Sequence, residues 1–211
     1  MSLSLVFKVG AGLLVIIVIL LALSGNIMSY VEEPKFKIVA SDGDLSIREY
    51  PPTLAAEVKV TGPRLKALNQ GFGLIANYIF GNNISTEKMA MTAPVTQQPG
   101  EKIAMTAPVT QQGSGETWVV RFIMPAKYTL ETLPAPKNQE VKLVAVPTHR
   151  AAVIRFSGEN TEDNLTQHRA KLLQYVADHH LVPLGEPIMA FYNPPWTLPF
   201  LRRNEIILQL Q

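Results

Sequence analysis

Glu87-Lys88-Met89-Ala90-Met91-Thr92-Ala93-Pro94-Val95-Thr96-Gln97-Gln98 is followed, after Pro99-Gly100, by Glu101-Lys102-Ile103-Ala104-Met105-Thr106-Ala107-Pro108-Val109-Thr110-Gln111-Gln112. The second run repeats the first at an offset of 14 residues with one change, Ile103 for Met89. Two copies are too few for a solenoid, whose core needs about three stacked units. Pro-Gly between them suits a turn, since Pro presets the first φ and Gly accepts a positive one. The pair therefore reads as two like strands folded on each other. By the period of two, Met89, Met91 and Ala93 share one face, continued by Ile103, Met105 and Ala107. Two readings fit: a local duplication that lengthens a hairpin, or a methionine face that lines a pocket for a flat apolar ligand.

Working outward, 211 residues with 47% hydrophobic content suit one domain and an appendage. The net charge of +2 and the lack of any basic cluster longer than Arg202-Arg203 argue against a nucleic-acid surface. With no cysteine, disulfides, thiolate metal sites and cysteine nucleophiles are excluded. No Gly-x-Ser-x-Gly or His-Glu-x-x-His pattern occurs, and the histidines at 149, 168, 179 and 180 show no metal-site spacing. Two glycosylation sequons begin at Asn83 and Asn164.

Residues 1–28 differ in kind from the rest. Residues 9–23 carry no charge and have no polar face, and the segment approaches the roughly 20 residues that cross a bilayer. It reads as a membrane anchor, or as a cleaved signal with Ala22-Leu23-Ser24 at the cleavage site. Lys8 favours a cytoplasmic N-terminus, which puts the domain on the extracytoplasmic (periplasmic) side; cleavage would make it secreted. Residues 29–35 read as a tether and 36–211 as the domain.

Within that domain, strands are expected at 36–40, 45–50 and 53–60, set apart by Ser41-Asp42-Gly43-Asp44 and Pro51-Pro52. Gly62-Pro63 opens a helix whose apolar face is read as Leu65, Leu68, Phe72, Ile75, Ala76 and Ile79. After the duplication come strands at 118–124, 141–146 and 150–156. A second helix is capped near Asn160 or Thr161, with Leu165, Leu172, Leu173 and Val176 as its face. Strands at 188–192 and 205–210 close the chain. Val60-Thr61-Gly62 matches Phe156-Ser157-Gly158, and Met89–Pro94 matches Met189–Pro194. Each half runs strand, strand, helix, strand, strand. The fold expected is α+β: a pseudo-twofold, distorted β-barrel flanked by two helices, preceded by the N-terminal transmembrane helix.

Lys-Ile-Ala-Met-Thr-Ala-Pro-Val (102–109), Val-Arg-Phe-Ile-Met-Pro (120–125), Ala-Val-Ile-Arg-Phe-Ser-Gly (152–158) and Tyr-Asn-Pro-Pro-Trp with Arg-Arg-Asn-Glu (192–205) resemble the SOUL haem-binding protein family. The resemblance runs from about Phe36 to the end. It implies the flanked barrel, kinship of fold with effector-binding domains of bacterial regulators, and binding of haem or other tetrapyrroles in some members. In one branch, a histidine after the Ile-Arg of the second strand is the proposed iron ligand; Glu49 stands there, and a carboxylate replaces imidazole poorly at haem iron. Other members hold porphyrin on an apolar surface of the first helix, here Asn69, Phe72, Ile75 and Asn77, where some relatives carry basic residues. With Met91 and Trp196, these are the candidate ligand-binding residues; no catalytic or metal-ligating residue is assigned.

The expected function is non-enzymatic binding of haem or a porphyrin through an apolar site without an axial ligand. Two alternatives stand beside it: a sensor or sequestering domain for amphipathic, cationic molecules with Glu49 as counter-charge, and a hydrolase on the same fold. Arg202-Arg203-Asn204-Glu205 reads as a polar cluster that pins the proline-rich loop before it.

Overall fold

The structure, a computed structural model, describes residues 31–85 and 100–211. The expected transmembrane helix, Met91 and the first copy of the duplication lie outside the described residues. Among those described, no helix is long and apolar enough to cross a membrane.

In chain order the elements are β1 (Lys37–Asp42), β2 (Leu45–Tyr50), β3 (Thr53–Thr61), α1 (Arg64–Ile79), β4 (Asn83–Ile84), β5 (Val109–Ser114) and β6 (Thr117–Ile123). Then follow β7 (Ala135–Pro136), β8 (Lys142–Val146), β9 (His149–Phe156), α2 (Glu162–Asp178), β10 (Ile188–Phe191) and β11 (Asn204–Leu210). Nine strands form one curled sheet, a half-barrel, in the order β1-β2-β9-β11-β10-β5-β6-β3-β8. The fold is α+β with two helices, as expected, but among the described residues β1 and β8 are edge strands and the sheet is a half-barrel rather than a closed one.

The expected halves are visible in this order. Each is strand, strand, helix, strand, strand: β2-β3-α1-β5-β6 and β8-β9-α2-β10-β11. The two meet at the β5–β10 pair, and each lends its first strand to the other, β2 pairing with β9 and β8 with β3. Gly62 and Gly158, at equivalent strand-to-helix corners, both have positive φ, 118° and 107°, which glycine takes without steric cost. The likeness of Met189–Pro194 to the duplicated motif has no such counterpart. Pro108 precedes β5, whereas Pro194 follows β10.

Both helices cover one face of the sheet. The register row Val58, Val120, Gln111, Met189, Ile206 and Ile154 runs beneath them from one half to the other. α1 closes a core with Val58, Val60, Val120 and Phe122; α2 closes a second with Ile154, Phe156, Ile206 and Leu208. A third cluster, with Tyr50, Ala151, Val153, Ile188, Ala190, Tyr192 and Ile207, lies on the helix-free face and is covered by Val31 and Phe36.

The buried face of α1 is the expected one only at Ile75 and Ile79, with Leu68 packed at its margin. Arg64, Ala67, Gly71, Ile75, Tyr78 and Ile79 are buried, while Leu65 and Phe72 are exposed. The small residues explain the rotation: a Cβ on Gly71 would stand 2.6 Å from Val120 Cγ2, so the helix lies too close to β6 for a larger side chain. The second helix follows expectation at Leu165, Leu172 and Val176, with Thr161 accepting the capping bond from Asn164 N; Tyr175 replaces the exposed Leu173.

The second copy of the duplication is a strand only from Val109. Before it, residues 101–108 are held in an irregular run by Asn83, whose side chain bonds both backbone polar groups of Glu101, and by Ile103 N donating to Ile79 O. The expected alternation fails there. Ile103 and Ala107 are buried, but Met105 is 37% exposed and so does not line a common apolar face.

Candidate functional site

On the helix-free face, Glu205 of β11 carries no exposed surface. One carboxylate oxygen accepts from Arg48 Nη1 at 2.9 Å and from the Tyr192 hydroxyl at 2.8 Å. The other accepts from Arg203 Nε at 3.1 Å and Nη2 at 2.9 Å. Arg48 also reaches Ser46 and the Tyr50 hydroxyl and stacks on the Phe36 ring, 4.3 Å from its centroid. Arg203 lies 3.7 Å over the Tyr192 ring and extends to Glu33 at 2.9 Å. Burial lowers the pKa of each arginine, but Glu205 outweighs it at Arg48, and Tyr192 followed by Glu205 outweighs it at Arg203, so both guanidinium groups titrate above the ordinary range. Burial first, and then the Glu205 charge, push the Tyr192 hydroxyl above the tyrosine range. Every charge in this network has a partner.

Two hollows flank the strap formed by residues 32–36. One, of about 790 Å3, is walled by Leu54, Ile123, Met124, Tyr128 and Leu130 together with Glu32 to Lys35. The other, of about 440 Å3, is shallow and lies among Lys35, Phe36, Lys37, Glu49, Tyr50 and Thr148. Glu49 is thus at the lip of a hollow, but it is exposed and its cross-strand neighbours are Lys37 and Arg150. Its chain neighbour Arg48 points to the opposite face of β2 and holds Glu205.

The remaining sequence candidates lie elsewhere. Asn69, Phe72 and Asn77 are exposed on α1, while Ile75 is fully buried beneath it. Trp196 is 59% exposed on the loop before β11 and borders neither hollow. The structure therefore does not gather these residues into one site. It does place Leu65, Asn69, Phe72 and the half-buried Ala76 on one side of α1 at helical spacing, continued by Phe80 just past its end, with the Phe72 ring also packed against buried Phe122 at 5.5 Å between centroids. Leu65 is 49% exposed, Phe72 38% and Phe80 58%.

None of the histidines lies on α1. His149 opens β9 and stacks on Tyr50; His168, on α2, stacks on Phe156; His179 and His180 follow the end of α2. Among the described residues no cluster of three metal-ligating side chains occurs. Both sequon asparagines are engaged in structure: Asn83 holds Tyr78 O and Glu101, and Asn164 holds Ser157 O and Glu159 O. Arg202 pins the proline-rich loop as expected, donating to Thr197 O and Pro195 O. The network around Glu205 was not foreseen. The Arg-Arg-Asn-Glu motif was its only local signal.

The fold and these contacts describe a domain that presents apolar surface and hollows. The chain belongs to the SOUL haem-binding protein family, whose sequence pattern matches residues 31–101 and 97–209 and divides at the duplication. No curated protein sequence matches it. Its fold is similar to the C-terminal domain of EcmrR, with a TM-score of 0.58 at 11% identity over 83% of this chain and 98% of that one. It is also similar to EcmrR in a DNA complex, with a TM-score of 0.57 at 10% identity, covering 100% of this chain and 72% of that one. A hydrolase from Listeria innocua matches with a TM-score of 0.50 at 13% identity over 89% of this chain and 97% of that one. At such identities the likeness is one of fold alone.

Proposed function

We propose that the protein is a membrane-anchored, non-enzymatic binder of haem or another tetrapyrrole, which it holds on the outward stripe of α1 without an axial ligand. Membership of the family supports the ligand class. The observation that carries the site is the exposure of Leu65, Phe72 and Phe80 along one helix face, which a flat macrocycle covers without rearrangement. Asn69 and Asn77 offer neutral hydrogen bonds beside the stripe. Lys66, exposed on the same helix, supplies a cation for a propionate. Haem chemistry would come from the bound iron; this chain's residues contribute apolar contact and polar rims. The anchor reading rests on the uncharged run at 9–23.

The stripe is tested by titrating residues 31–211, which contain all three core clusters, with an iron-free porphyrin. Phe72→Ala is expected to weaken binding by about tenfold to a hundredfold, roughly 1.5–3 kcal/mol for a large aromatic contact. Unchanged affinity in a variant that melts like the parent would remove α1 as the site. The alternative of a cation-selecting domain finds less support, because Glu49 is exposed and Glu205 is already held by two arginines.

A further inference from the structure

The loop from Asn193 to Leu201 contains no charged residue, and its polarity is inverted. Thr197 is buried, with its hydroxyl unpartnered among the described residues, while Trp196 is 59% exposed and Phe200 71%. Leu198, between them, is 38% exposed. A loop free to rearrange in water would turn these side chains inward and the threonine outward. This one is held in place by its backbone. Arg202 grips Thr197 O at 2.7 Å and Pro195 O at 2.5 Å; Thr197 N donates to Pro194 O, and Gly158 N to Pro199 O. The result is a stiff, uncharged projection tipped by Trp, Leu and Phe, the composition favoured where apolar rings meet a bilayer interface.

What such a projection meets is indicated by where the chain enters the domain. Val31 packs on the third cluster, and Glu33 is paired with Arg203 at 2.9 Å. Phe200 is three residues before Arg203, within about 10 Å along the chain. Residues 24–30, between the apolar run and Val31, span at most about 25 Å even when fully extended. If the run at 9–23 enters a bilayer, the tether holds this side of the domain close to it.

We propose that the Trp196–Phe200 loop is a lipid-contacting surface, seated in the interfacial zone of the membrane that the N-terminal run enters. This rests on the anchor reading above and is independent of the tetrapyrrole site on α1. Two contacts, the anchor and the loop, then fix the orientation of the domain, with the strap of residues 32–36 and its two hollows on the membrane side.

The test reconstitutes the full chain in phosphatidylcholine vesicles whose acyl chains carry bromine near the headgroup or deep in the core, and reads tryptophan emission. The chain should pellet with the vesicles. Shallow bromines should quench its emission more than deep ones, and Trp196→Phe should remove that quenching, leaving the emission of the buried Trp118. Phe200→Ser should lower the quenched fraction while leaving the chain in the pellet. If the chain pellets but Trp196 is quenched by aqueous acrylamide and not by brominated lipid, the loop faces water or another protein and the proposal is overturned. If the chain stays in the supernatant, the anchor reading fails and the proposal fails with it, while porphyrin binding on α1 remains to be judged by its own titration.

Discussion

Glu205 shows how this sequence keeps a charge inside a small domain. Burying a carboxylate costs several kcal/mol unless it is paired and hydrogen-bonded, and here two arginines and a tyrosine hydroxyl surround it. The two arginines leave a surplus positive charge, and Glu33 on the strap balances it. Such a pocket has no charge left over to select a cation, which is why Glu205 does not revive the sensor reading that Glu49 had suggested. The network has a measurable pH signature. The Tyr192 hydroxyl is held above its unfolded value near 10, so its contribution to stability is complete below about pH 10 and lost as pH rises further. Denaturant midpoints should therefore fall above about pH 10, and Tyr192→Phe should make that fall less steep. It should not abolish it, because burial raises Tyr50 and Tyr78 too. An alkaline arm of equal steepness in the variant would mean that the phenol is not held as described.

At the scale of elements, the duplication is the feature that most invites a cut. Its second copy is integral: Ile103 and Ala107 are buried, Thr106 donates to Ile123 O, and β5 sits in the middle of the sheet. Deleting residues 87–100 removes the first copy and the turn while leaving those contacts intact. The shortened chain should therefore unfold cooperatively, with a midpoint close to the parent's; loss of a cooperative transition would show that the first copy also carries core residues. How far the elements were legible follows from the same physics. The strands at 45–50 and from Thr53 were readable because the turn residues Ser41–Asp44 and Pro51-Pro52 bracket them. The buried face of α1 was readable only in part, because periodicity counts large apolar residues and the tight approach to β6 selected Ala67 and Gly71 instead. That misreading hid the outward stripe, although Phe72 itself was singled out. The Glu205 network was illegible because Arg48 and Glu205 lie 157 residues apart, and only the exchange of β2 across the halves brings them together.

For the whole molecule, the account is of a curled sheet whose helix-free face is sealed by its own charges and strap. Among the exposed apolar side chains of the described residues, those along α1 are the proposed ligand surface and those of the Trp196–Phe200 loop the proposed lipid contact. Apolar contact, and not iron ligation, is proposed to hold the tetrapyrrole, since no histidine lies on α1 and Glu49 stands where one branch of the family has its proposed ligand. The most direct measurement compares haem with the same porphyrin lacking iron, titrated into residues 31–211 under identical conditions. The account predicts dissociation constants within a few-fold of each other and a haem Soret band unmoved by replacing any one of the four histidines with alanine. Haem binding far more tightly than its iron-free analogue, with one His→Ala change abolishing the difference, would contradict it.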